Sequence, residues 1–212
     1  MKGEKKGLQG LIRKRHPLCK VIFTHCLIHQ QALCAKTILD NRFPLGAVLK
    51  DFSAIVKFVR GSELRARLFQ QYTLSKQSKA LKLLYHSDIR WLSAGESSSR
   101  FLYLYDIICD FLPTLSKLPD NIADILQRMK SLEWKFLLSF FVDVTFLLNK
   151  FNKSLQGDLK CAVDLFLELR STKVDFEYLN RCVAVGDFTS FPNAIKVIRR
   201  GFRPQEELHS AY

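Results

Sequence analysis

The chain has 212 residues, 48% of them hydrophobic, which is enough for a sizeable core and too apolar for a disordered chain. Thirty-three Lys and Arg against 20 Asp and Glu leave a formal charge of +13, a balance that favours polyanionic partners and steers association toward them. The most apolar window, residues 136–151, is broken by Ser139, Asp143, Thr145 and Asn149 and falls short of the ~18 apolar residues a membrane span requires, so no membrane partner is expected.

The basic excess gathers at the ends. Residues 1–20 hold Lys2, Lys5, Lys6, Arg13, Lys14, Arg15 and Lys20 against Glu4, and the last stretch holds Lys196, Arg199, Arg200 and Arg203 against Glu206 and Glu207. The middle is closer to balanced. Six cysteines behind a polar, charged N-terminus imply free thiols in a reducing compartment.

In chain order, Leu8, Leu11 and Ile12 predict a short basic helix that His16-Pro17 ends, because proline pushes the residue before it out of the helical region. Val21-Ile22-Phe23 is the one good strand candidate. Apolar spacing then predicts helices over 27–39 and 45–59, the second stopped by Arg60-Gly61-Ser62, with Ser62 capping a further helix over 63–72. Residues 75–82 read as a polar, basic loop or a frayed helix end. One of Ser97, Ser98 and Ser99 is expected to cap a helix reaching Pro113, and Pro119-Asp120 to start another ending near Ser131. The longest helix covers 133–156. Gly157-Asp158 turns the chain into a partner helix ending near Val183, and the two are expected to pack antiparallel, each burying the other's apolar face. Residues 186–192 are turn chemistry, and the basic tail beyond has too little apolar content to join the core.

Two spots invite chemistry. Cys26 and His29 supply half of a zinc site, but no second pair completes the four ligands zinc takes. They also suit a thiol–imidazole dyad, although Leu27, Ile28, Ala32 and Leu33 argue for burial, and buried thiols are inert. The plain alternative is a structural strand-to-helix junction. No Gly-rich phosphate loop and no converging set of acids is visible. Arg90-Trp91, flanked by Lys79, Lys82, His86 and Arg100, joins a large π-face to cations, which is what stacking an unpaired base and neutralising its phosphate require. A tryptophan that merely plugs a helix junction explains the spacing equally simply, and spacing alone favours it.

The ordered series Met1-Lys2-Gly3-Glu4-Lys5-Lys6-Gly7-Leu8, His25-Cys26-Leu27-Ile28-His29-Gln30-Gln31-Ala32-Leu33-Cys34-Ala35-Lys36, Val56-Lys57-Phe58-Val59-Arg60, Leu83-Leu84-Tyr85-His86-Ser87-Asp88-Ile89-Arg90-Trp91-Leu92-Ser93, and Phe141-Val142-Asp143-Val144-Thr145 through Leu155-Gln156-Gly157 resembles the body of hAT-superfamily transposases. The nearest look-alikes are domesticated cellular versions: BED-type zinc finger proteins and proteins with general transcription factor II-I repeats or a SCAN domain. The resemblance covers roughly residues 1–195, and the combination is more specific than any one motif.

That resemblance implies a ribonuclease-H-like core with three acids, interrupted by a large helical insertion. Cys26 and His29 match the Cys-x-x-His that closes the core segment, a structural role. Arg90 and Trp91 match the Arg-Trp of the insertion, whose Trp is implicated in handling a flipped or hairpin DNA base. The family's first two catalytic Asp belong upstream of Met1 and its Glu beyond the chain's end, so no catalytic residue, metal or cofactor is assigned here.

The expected architecture is mainly α: a vestige of the ribonuclease-H-like core over 1–40 with one short strand near 20–25, an all-α insertion domain over 41–185, and a basic tail over 186–212. The expected function is that of a catalytically inactive transposase remnant, located in the nucleus or otherwise the cytoplasm. It would bind DNA weakly through Lys5, Lys6, Arg13, Lys14, Arg15, Arg90 and Trp91. The alternative is a helical protein-interaction module that recruits a partner or self-associates through its apolar helices.

Overall fold

The computed structural model describes residues 7–17, 44–85, 91–156 and 161–201. Within them every regular element is helical: α1 (Leu8–Arg15), α2 (Pro44–Arg60), α3 (Glu63–Ser75), α4 (Trp91–Tyr103), α5 (Tyr105–Phe111) with a 3-10 turn at Leu112–Thr114, α6 (Asp120–Met129), α7 (Leu132–Ser154), α8 (Ala162–Ala184) and α9 (Ala194–Ile198). The chain is thus mainly α. The strand expected near 20–25, the Cys26–His29 pair and most of the 1–40 segment lie outside the described residues.

The helix α7 is the axle of the body. Ser131 caps it, its hydroxyl accepting from the Trp134 N–H at 3.1 Å. The helix then buries Trp134, Phe136, Leu137, Leu138, Phe140, Phe141, Val142 and Leu148 on successive sides, and a helix apolar all round has to be surrounded. Helices α2, α4, α6 and α9 do this. Phe52 of α2 sits between Phe101 of α4 and Phe141 of α7, with ring centroids 5.6 and 6.0 Å away. At Gly95 of α4 an added Cβ would meet the Asn149 side-chain amide of α7, so the glycine leaves room for that amide.

Two buried carboxylates fix the frame. Asp51 on α2 accepts two bonds from the Arg128 guanidinium on α6, at 2.7 and 3.1 Å, and one from the Trp134 indole N–H on α7 at 3.0 Å. A single side chain thereby locks three helices. Asp143 on α7 accepts from the backbone N–H groups of Asn193 and Ala194 at 2.9 and 3.0 Å and from the Asn193 amide at 2.6 Å. Burial pushes its carboxyl above the ordinary range, and those bonds oppose the shift.

Three expectations need correction. The helix expected to begin at Ser97–Ser99 begins at Trp91, so Ser97 and Ser98 are buried inside α4. The Ser97 hydroxyl donates to the Leu84 carbonyl at 2.6 Å and that of Ser98 to the Gly95 carbonyl at 3.2 Å, which satisfies them without a cap. The segment past Pro192 is not excluded from the core: Ala194 and Val197 are buried there, and Phe188 and Phe191 pack on Phe136 and Phe140 with centroids as close as 4.8 Å. A few well-placed apolar residues suffice because Asp143 holds the start of α9 in position. Finally, α8 does not lie along α7. Among the described residues only its last turns dock, where Cys182 is buried and Leu179 and Val183 pack on the core.

Candidate nucleic-acid interface

The chain between α2 and α4 is strongly one-signed. From residue 57 to 85 it carries Lys57, Arg60, Arg65, Arg67, Lys76, Lys79 and Lys82 against the single acid Glu63, which pairs with Arg67 at 3.5 Å. How these cations are displayed follows from local structure. Lys57 and Arg60 occupy the last turn of α2, where the helix dipole favours cations. The Gly61 N–H bonds to the Lys57 carbonyl at 2.7 Å, and an added Cβ would meet that same oxygen at 2.6 Å, so the sharp turn there needs glycine. Ser62 then caps α3, accepting from the Arg65 N–H at 3.4 Å. Arg65 folds back over α2, its Nε donating to the Phe58 carbonyl at 2.7 Å and its guanidinium lying 4.2 Å from the Phe58 ring centroid.

Residues 76–85 lie against the body rather than looping free. Ala80 and Leu83 are buried as anchors, the Thr73 hydroxyl reaches the Leu81 carbonyl at 3.4 Å, and Ser97 of α4 holds the Leu84 carbonyl. Lys79, Lys82 and Tyr85, which flank or separate the anchors, face solvent. The Arg60 guanidinium stacks 4.0 Å from the Tyr85 ring centroid, and Arg100 of α4 donates to the Lys82 carbonyl at 3.4 Å. The Arg60–Tyr85 stack and the Arg100–Lys82 bond thus fall within four residues of one segment, which meets α2 at one and α4 at the other. Among the described residues none of the three cations has an acidic partner. An exposed aromatic ring with stacked and neighbouring cations can hold a base by its face and its phosphate by charge.

Among the sequence-based site residues, Trp91 is the first residue of α4, the helix that carries Arg100. Its side chain, Arg90, Lys5, Lys6, Cys26 and His29 lie outside what is described. Arg13, Lys14 and Arg15 are exposed on the last turn of α1. Reading the ends of the chain as the electrostatic handle left Lys57, Arg60, Arg65 and Tyr85 out of the candidate set. The run of seven cations against one acid was the available signal, diluted by averaging over a balanced middle.

The remaining titratable groups serve structure. The Cys109 thiol is pushed up to about 11 by burial, with Asp106 adding to the effect, while Lys135 pairs with Asp106 at 2.9 Å. The Tyr105 hydroxyl bonds to the Met129 carbonyl, and burial raises its pKa. Among the described residues no group of three or more His, Cys, Asp and Glu side chains converges as a metal site would, and no helix is long and apolar enough to cross a membrane.

Compared with known proteins, no solved structure matches the chain. Residues 25–184 match the model of the FAM200/GTF2IRD2 helical domain, a stretch that takes in the Cys26–His29 motif, the Arg90–Trp91 pair and helices α2 to α8. That family derives from hAT-type transposases, which agrees with the ordered motifs of the sequence. The chain is a domesticated, transposase-derived protein and belongs to the FAM200/GTF2IRD2-like family.

Proposed function

We propose that the chain is a non-catalytic nucleic-acid-binding protein of hAT descent acting in the nucleus, and that its contact surface is the junction of α2, residues 76–85 and α4. One observation carries this reading: the Arg60 guanidinium stacked on the exposed Tyr85 ring, with Lys82 and Arg100 beside it. Trp91 opens the same helix that bears Arg100, and the Arg90–Trp91 pair is taken as the family's base-handling motif. Residues 1–40 and 41–185 are taken as the vestigial core segment and the insertion domain, with Cys26 and His29 in a structural role at their border. Lys5, Lys6, Arg13, Lys14 and Arg15 add non-specific attraction.

The non-catalytic part is supported by the occupation of the buried acids. Asp51 is saturated by Arg128 and Trp134 and Asp143 by the start of α9, so neither is available to hold a catalytic cation. Three phosphate contacts on a single strand, one each from Arg60, Lys82 and Arg100, predict a slope near −2.1 in log K against log salt, from about −0.7 per contact. A titration of labelled single-stranded and duplex oligonucleotides at two salt concentrations tests this. Tight binding of the single strand at low salt with that dependence supports the reading, and absence of binding at low salt removes it. Strand cleavage in magnesium or manganese, abolished by a point substitution in the chain, contradicts the non-catalytic part.

A further inference from the structure

Among the described residues, helix α8 meets the core only at its C-terminal end, by Leu179, Cys182 and Val183. The preceding residues 162–178, a rod of about 25 Å, hold five large apolar side chains that are 54–63% exposed: Val163, Phe166, Leu167, Val174 and Tyr178. At 3.6 residues per turn these five fall within about 120° of the helix circumference, a coherent stripe rather than scattered exposure. Single exposed apolar residues need no explanation, but a stripe of five on one rod does.

We infer that this stripe is a self-association surface, on which a second copy of the chain lays its own α8 antiparallel. The spacing is self-complementary. A two-fold axis between Arg170 and Ser171 places Val163 against the partner's Tyr178 and Leu167 against the partner's Val174, and each pair recurs on the other side of the axis. An isologous interface requires this reciprocity, and an arbitrary partner does not. Phe166 covers the flank of the same contact. Arg170 lies near the axis, where its aliphatic stem packs and its charged head reaches solvent. Covering five side chains of this exposure on both copies removes roughly 1,000 Å2 from water, the lower bound for a specific interface. An interface of that size is that of a weak, reversible dimer. Because each copy carries +13, salt strengthens this association by screening, whereas it weakens nucleic-acid binding. The inference stands independently of the nucleic-acid reading.

Sedimentation velocity of the full chain, from about 1 to 100 µM, is the test. The expected result is a monomer–dimer equilibrium that shifts toward dimer with salt. Leu167→Glu alone and Val174→Lys alone give monomers with unchanged helical circular dichroism. The double variant L167E/V174K dimerises again, because each new glutamate then faces a new lysine across the axis. A wild-type chain that stays monomeric over this range overturns the inference, as it would if residues 18–43 or another protein covered the stripe. Dimers that persist in both single variants, or a double variant that remains monomeric, overturn it as well.

Discussion

Removing the Asp51 carboxylate should carry a large cost for a single polar change. In Asp51→Ala the Arg128 guanidinium loses both of its bonds and the Trp134 indole N–H loses its acceptor. The two losses differ in kind. The Arg128 side chain is 54% exposed, so water re-solvates it and its share is held to about 1 kcal/mol. Trp134 is buried, and a stranded donor there costs about 1–3 kcal/mol. The sum, roughly 2–4 kcal/mol, lowers Tm by roughly 4–16 °C in a chain of this size. Asp51→Asn keeps an acceptor for the indole and should lose only about 1 kcal/mol. Urea denaturation followed by circular dichroism and by tryptophan fluorescence measures both. If Asp51→Ala and Asp51→Asn are equally mild, within about 0.5 kcal/mol of wild type, the three-helix lock is not what holds α2, α6 and α7 together.

Three further outcomes follow from the packing and the thiols. Phe188→Ala should destabilise by about 3–5 kcal/mol, because Phe188 is 3% exposed and its ring meets both Phe136 and Phe140; a surface-like effect in a urea titration would return residues 186–198 to a tail. Gly95→Ala should change stability by no more than about 1 kcal/mol, because the added methyl meets the end of the Asn149 side chain, which can turn aside, and alanine is the better helix former; a loss of several kcal/mol in a thermal melt would contradict this. Peptide mass spectrometry after brief alkylation near pH 8 should find Cys161 modified and Cys109 protected: Cys161 is exposed, whereas Cys109 is held protonated until the pH nears about 11. Equal labelling of the two would contradict the burial assigned to Cys109.

Much of the helical frame is legible in local chemistry. Gly61-Ser62, Pro119-Asp120 and Ser131 each mark a helix boundary within a few residues, because caps and turns act over only a few residues. What failed was non-local. A tight Gly157-Asp158 turn suggests an antiparallel pair, but whether α8 finds room on α7 depends on which neighbours already cover it, and those arrive from α2, α4 and α9. The role of residues 188–197 was hidden for a related reason: their attachment runs through Asp143, some fifty positions away, whose acidity reads as a surface trait in sequence. The proposed interface is only partly visible in sequence: Lys82 and Arg100 stand near Arg90-Trp91 there, whereas Arg60 and Tyr85 become one feature only when the end of α2 is folded against the 76–85 segment.

The central claim is that the junction surface, and not positive charge in general, binds nucleic acid. The direct measurement compares the salt dependence of single-strand binding for the wild type, the junction variant Arg60→Ala/Lys82→Ala/Arg100→Ala, and the α1 variant Arg13→Ala/Lys14→Ala/Arg15→Ala, each with the same loss of three charges. The account predicts that the junction variant lowers the magnitude of the slope by about 2, at about 0.7 per lost phosphate contact, and that the α1 variant changes it by less than half as much. Equal slopes for the two variants would contradict it.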